Sequence, residues 1–584
     1  MIEYRICLAE ARSHQFSVAL AIAQPAAGQT VSLPVWIPGS YLVREFARHL
    51  SHLSAEQDGR SVAVEQIDKA NWRLDCRGDA PLTVRYRVHA FDSSVRAAYL
   101  DAQRGFFNGT GVCLRVHGCE AQPHAIELIH LPDGWQVATA MPRADGATAQ
   151  RYASADYDEL VDHPFELGRF WRGEFTAAGV VHEFVVAGAL PDFDSPRLLA
   201  DAMRICATQI AFWHGGADAA RPPFGRYVFL LNTAEDGHGG LEHRASTALL
   251  AARRDLPRRG DAGGTDGAEG YANLLGLISH EYFHAWNVKR MRPREFARYD
   301  YERENYTELL WFFEGHTAYY DDLMLLRAGL LDPARYLKLV AKAASAVLAT
   351  PGRAVHSVAQ SSFEAWTKFY RADENTPNAT VSYYAKGSLV ALALDLTLRR
   401  EGKGTLDDVM RALWQSSAGG PLDEADIAGA LEAVGARSYA VELAAWVHGT
   451  GDLPLAALLA AAGVDWQAQP ATLAQRLGLR VSESALTGVR VTHVLRGSAA
   501  EQSGLAAGDE LLTLGDWRLR RLDDALRLLA DGVPAPLLVA RDQRVLRLSL
   551  TLPAASAAVG AVVLALASNP PPSALALRKA WLGS

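Results

Sequence analysis

The pentad His280-Glu281-Tyr282-Phe283-His284 is the tightest constraint on this chain of 584 residues. It lies in Tyr271–Asn287, where Leu274, Leu275, Leu277 and Ile278 recur at helical spacing. On a helix, positions four apart share one face, a single turn from each other. Two imidazoles so placed reach one zinc ion at about 2.0–2.1 Å each, and the glutamate beside the first can take a proton from water there. Composition alone predicts about 0.03 such pentads in a chain of this length, so chance explains the pattern poorly.

A catalytic zinc takes three protein ligands and keeps one position open. Glu302, Glu304 and Glu308 fall in a polar run and read as solvated. Glu314 is embedded in Leu309-Leu310-Trp311-Phe312-Phe313-Glu314-Gly315-His316. A charge inside so apolar a helix is costly unless it is paired or bound to metal. Glu314 is therefore the expected third ligand, with a buried salt bridge as the alternative. His316, two residues on, faces elsewhere on the helix. The basic run Lys289, Arg290, Arg292 and Arg294 reads as a solvated face.

The texture of the chain changes twice. Up to about 175, runs such as Val31–Ile37 and Leu82–Val88 alternate apolar and polar residues between turn signals, the pattern of a β-sandwich. From about 195 to 460 helical periodicity dominates, with one strand-like insert at Tyr227–Leu231 and an expected mobile loop over Arg253–Gly270. A small α+β pattern follows, with strands at Val489–Val494, Asp509–Leu514 and Val545–Leu552 and a helix at Leu522–Leu529. The expected layout is 1–175, a β-sandwich; 176–464, a mainly helical catalytic domain; 465–555, a small α+β domain; and 556–584, a tail without an assigned role. The fold class is multidomain α+β.

With Lys+Arg at 58 and Asp+Glu at 66, the net charge of −8 argues against a nucleic-acid binder. Five cysteines with no CxxC pair argue against a disulfide scaffold or a cysteine metal site. The apolar runs Leu453–Val464 and Ala557–Ala567 are too short to span a bilayer. No basic region leading into an apolar run opens the chain. A reduced, cytoplasmic protein without a membrane span is expected.

Several segments together resemble the glycyl aminopeptidase family of zinc peptidases. They are Trp36-Ile37-Pro38-Gly39-Ser40-Tyr41, Gly239-Gly240-Leu241-Glu242-His243, the pentad continuing as Ala285-Trp286-Asn287, Trp311-Phe312-Phe313-Glu314-Gly315, and Tyr384-Ala385-Lys386-Gly387. The resemblance implies a thermolysin-like catalytic domain behind a β domain, one zinc ion per chain held by His280, His284 and Glu314, and Glu281 as general base. It also implies release of N-terminal residues, glycine or alanine above all, from peptides with a free N-terminus. Related alanyl-type enzymes carry Gly-Ala-Met-Glu-Asn at the second segment. Carried over, Glu242 holds the substrate ammonium, with Gly239 and Gly240 also binding substrate. His243 stands where those relatives have Asn, so that position's role does not transfer. Tyr384, preferred to Tyr383 by its offset from Lys386-Gly387, is the expected oxyanion donor. Ser503-Gly504-Leu505-Ala506-Ala507-Gly508-Asp509 resembles a PDZ stretch, and Leu477-Gly478-Leu479 would be its carboxylate loop. That implies a C-terminal peptide ligand, or a module that only packs on its neighbour. The rival readings are a zinc endopeptidase or oligopeptidase, and a non-catalytic PDZ scaffold.

Overall fold

A computed structural model describes residues 1–144, 146, 150–215, 221–260, 265–555 and 560–583. By internal contacts the chain divides into two units: Met1–Asn305 with Trp414–Pro421, and Tyr306–Leu413 with Leu422–Ser584.

The first unit begins with β structure. A seven-stranded sheet runs, in spatial order, Arg151–Ser154, His124–Ile129, Ile2–Cys7, Gln15–Ile22, Leu82–His89, Leu50–Gln57 and Arg60–Val62. In Leu82–His89 buried residues alternate with more exposed ones, as a strand with one covered face requires. Two four-stranded sheets share its apolar core, which includes Phe16, Leu20, Val84, Phe106, Phe107 and Phe165. The expected strand Val31–Ile37 is strand only as Thr30–Ser32. Pro34 and Pro38 cannot donate to a ladder, and the chain leaves the sheet as a buried loop.

A five-stranded sheet follows in the order Trp171–Ala177, Val180–Ala187, Arg226–Ala234, Ser246–Ala252, His238–Glu242. The sequence showed only its middle strand. The helix Ser195–His214 is capped by the Asp194 side chain, which accepts from the Arg197 N–H. The first four residues of the pentad lie on the helix Thr265–Phe283. The segment expected as a loop, Arg253–Gly270, begins with a 3-10 turn at Arg253–Asp255 and ends inside that helix. Residues 261–264 of it lie outside the described residues.

In the second unit the helices Gly315–Arg327 and Tyr383–Glu401 cross closely. A β-carbon on Gly315 would lie 2.6 Å from the Gly387 Cα, so both glycines are needed for the approach. The small C-terminal module is a sheet ordered Leu479–Ser484, Gly488–Val494, Glu510–Leu514, Pro534–Arg541, Arg544–Thr551. Its expected helix is a shorter 3-10 segment, Leu522–Arg527. The module is an insertion: Val464–Ala468 before it pairs antiparallel with Val562–Leu566 after it. The helix Pro572–Leu582 then buries Trp581, whose indole N–H donates to the Tyr319 hydroxyl at 3.2 Å. No described helix is long and apolar enough to cross a membrane.

Candidate metal centre

The pentad's helix ends at Phe283, and His284 opens the following turn with its N–H still donating to the His280 carbonyl at 3.3 Å. The two imidazole centroids lie 4.7 Å apart with planes at 86°. His284 is buried, and its Nδ1 sits 2.8 Å from the Asn287 carbonyl oxygen. A carbonyl only accepts, so Nδ1 carries the proton and Nε2 keeps its lone pair for a metal. Among the described residues one group of three possible metal ligands gathers: His280, His284 and Glu314, one ligand atom from each, all within 4.8 Å of one another. Two imidazoles and a carboxylate are a donor set that suits zinc with a position left open. His316 does not join them. It is fully buried, with its ring 4.4 Å from Phe312, and burial lowers its pKa to about 3.

Glu281 is buried against the strand His238–Glu242. A β-carbon on Gly240 would collide with its Oε1, so only glycine allows the strand this close. Glu242, two residues on and hence on the same face, is 4 % exposed. The N-terminal loop covers it: a β-carbon on Gly39 would fall 2.5 Å from Glu242 Oε1, and Gly39 has φ +94°. The first motif of the resemblance therefore touches the second. The sequence shows no strand here, because two adjacent glycines erase both alternation and β propensity.

The basic run after the pentad is a solvated face only at its end: Arg294 is exposed, but Lys289 is buried and Arg290 and Arg292 are half-buried. Lys289 is 4 % exposed, with its Nζ 2.7 Å from Asp162 Oδ1. The Arg244 N–H donates to Asp162 Oδ2 at 2.9 Å, and His243 Nδ1 lies 3.4 Å from Oδ1. Burial opposes the charge on Asp162, but Lys289, His243 and Arg244 hold its carboxyl well below the usual range. Arg290 donates to the carbonyls of Arg244, Ala285 and Pro223, and burial pulls its guanidinium down to about 10. Val288, at φ +107°, turns the chain inward in a conformation a β-branched residue rarely adopts. Asp162 thus ties the residue after Glu242 to the turn after the pentad. Nothing in the sequence singled it out.

In the second unit Tyr384 opens the helix Tyr383–Glu401. Its hydroxyl lies 3.2 Å from that of Tyr370, and burial followed by the Glu314 carboxylate pushes its pKa well above the ordinary value. Tyr384 is half-buried, whereas Tyr383 is fully buried. The glycine crossing sets this pair, because Gly315 follows Glu314 directly and Gly387 lies one turn beyond Tyr384.

Three family models match: the peptidase M61 N-terminal domain over residues 3–169, the M61 glycyl aminopeptidase over 273–390, and the PDZ domain over 466–528. The crystal structure of an aminopeptidase N family protein from Idiomarina loihiensis is 37% identical, covers 100% of both chains and has a TM-score of 0.92. An M1 zinc metallopeptidase from Deinococcus radiodurans is 14% identical over 78% of this chain and 93% of its own, with a TM-score of 0.47, a likeness that does not extend to function. No curated protein matches the chain.

Proposed function

The chain belongs to the M61 glycyl aminopeptidase family, and from that premise we propose that it is a zinc-dependent aminopeptidase that releases small N-terminal residues, glycine or alanine, from peptides. The observation that carries the proposal is the group His280, His284 and Glu314, with the pentad's glutamate lodged against the strand that bears Glu242. The three ligands hold one zinc ion, which supplies polarisation of the scissile carbonyl and acidification of a water. Glu281 takes the proton from the attacking water and returns it to the leaving amine. Glu242 pairs with the substrate ammonium, which restricts cleavage to the chain end. Gly239 and Gly240 leave the strand bare for the peptide backbone. Tyr384 donates its phenol proton in a hydrogen bond to the carbonyl oxygen as charge builds there. The preference for small residues rests on the family's description. An extended C-terminal peptide beside the strand Leu479–Ser484 is the proposed ligand of the PDZ module. A cytoplasmic location, expected from the sparse cysteines, belongs to the same proposal.

The test is a set of glycyl and alanyl reporter amides, free and N-acetylated, with and without a zinc chelator. Free amides should be cleaved and chelation should stop it. Losing one partner of a buried charged pair costs about 2–5 kcal/mol, so acetylation should cost on the order of 30-fold or more. Equal cleavage of free and acetylated amides would establish an endopeptidase instead.

A further inference from the structure

The strand His238–Glu242 is the edge of its sheet, and its open side holds a cation. The His243 N–H donates to the Ser246 carbonyl at 3.0 Å, which makes these two a hydrogen-bonded pair across the hairpin. The antiparallel register continues as Leu241 opposite Ala248 and Gly240 opposite Leu249. Hydrogen-bonded and non-bonded pairs alternate, so the Gly240 N–H and C=O point away from the sheet, to the open edge. Arg96 occupies that edge. Its Nη2 donates to the Gly240 carbonyl at 3.2 Å, and its Nη1 would lie 3.5 Å from a β-carbon on Gly239.

The arginine is delivered by a fixed segment. The buried Asn108 amide donates to the carbonyls of Val95 at 2.9 Å and Ala97 at 3.3 Å, on either side of Arg96. The Arg96 N–H in turn donates to Ser94 Oγ at 3.3 Å. No carboxylate pairs with Arg96 among the described residues, and its Nε is buried without a hydrogen-bond partner. A half-buried guanidinium with unused donors, pinned in place at a bare strand edge, is built to receive an anion.

Spacing says which anion. Gly240 precedes Glu242 by two strand residues, about 7 Å along the edge. An extended dipeptide spans about the same distance from its ammonium to its carboxylate. We propose that Arg96 binds the C-terminal carboxylate of a dipeptide whose ammonium sits at Glu242, making free dipeptides the preferred substrates. A longer or amidated peptide presents a neutral amide at the same point. The proposal rests on the assignment of Glu242 to the substrate ammonium.

Binding and turnover are measured separately. In full-length Glu281→Gln protein, calorimetry gives the affinities of Gly-Leu, Gly-Leu amide and Gly-Glu amide. Gly-Leu should bind about 10- to 100-fold tighter than its amide, as a charge-assisted contact would give. Adding Arg96→Gln should erase that difference, and Arg96→Lys should keep part of it. In protein with Glu281 intact, the same preference should appear in KM rather than in kcat, and its ratio should collapse in Arg96→Gln. Equal affinity for Gly-Leu and its amide overturns the proposal, as does a preference that survives Arg96→Gln. Arg96-dependent tightening by Gly-Glu amide alone also overturns it, because the anion would then be a side chain. If Gly-Leu and its amide are both left uncleaved while the Arg96-dependent binding difference holds, the carboxylate site stands and the aminopeptidase assignment falls.

Discussion

Gly240 and Glu281 are in such close contact that a β-carbon on the glycine would overlap the glutamate's Oε1. The residue proposed to move the proton is therefore seated against the strand proposed to receive the substrate. Gly240→Ala must displace one or the other. A displacement of about 1 Å in such a site costs roughly 100-fold in turnover. We expect that loss in kcat/KM with the metal content unchanged. Full activity in Gly240→Ala would show that Glu281 does not act from this position.

Metal binding and proton transfer separate by residue. His280→Ala, His284→Ala and Glu314→Ala should each weaken or lose zinc, read by elemental analysis after dialysis, because each removes a ligand atom of the group. Glu281→Gln should keep stoichiometric zinc and lose about 10²- to 10⁴-fold in turnover. Equal zinc loss in Glu281→Gln and Glu314→Ala would mean that their roles are confused.

The pentad's helix and the apolar setting of Glu314 were legible because one period and one burial cost specify them. The strand of Glu242 was not, since Gly239 and Gly240 remove the side chains from which a strand is read. The same absence lets Glu281 approach, so the feature that hides the element is the one it needs. Lys289 misled for a different reason. A cation's burial depends on a distant acid, here Asp162, and no local pattern in the sequence records that pairing. The tail was opaque because its partner strand, Val464–Ala468, lies on the far side of the inserted module.

Stability should depend on pH through His182. It is fully buried, its ring stacks on Phe175 at 5.0 Å, and its Nδ1–H donates to the Val180 carbonyl at 2.9 Å. Its Nε2 accepts from the Tyr282 hydroxyl at 2.8 Å. Burial lowers its pKa to about 4. An unfolded histidine titrates near about 6.5, so between those values the unfolded chain binds the extra proton. Stability is then lost as pH falls from about 6.5 to about 4, by about 3 kcal/mol for this group. His182→Gln should flatten the dependence of the denaturation midpoint on pH in that window relative to the unaltered protein. The same slope in both would place the titration elsewhere.

Removing the inserted module and removing everything after it should have different consequences. The strands Val464–Ala468 and Val562–Leu566 run antiparallel, and the Gln469 N–H still donates to the Ala561 carbonyl at 2.7 Å. Replacing Pro470–Gly560 with an Asn-Gly turn would close them as an ordinary hairpin. That change gives up two hydrogen bonds from Asn378, to the Val494 carbonyl and from the Arg496 N–H, but leaves the core of the helical unit intact. Truncation after Gln469 also removes the strand, whose Val562 N–H donates to Ser345 Oγ, and the helix that buries Trp581 beside Tyr336. It further strips the Ala580 carbonyl from Arg399 and the indole from Tyr319, whose hydroxyl donates to Asp395. Loss of one buried tryptophan costs about 3–5 kcal/mol. The truncated chain should therefore melt on the order of 10 °C lower than the chain with the hairpin closed. Scanning calorimetry of the two side by side reads this directly. Equal melting temperatures would show that the C-terminal strand and helix do not support the helical unit.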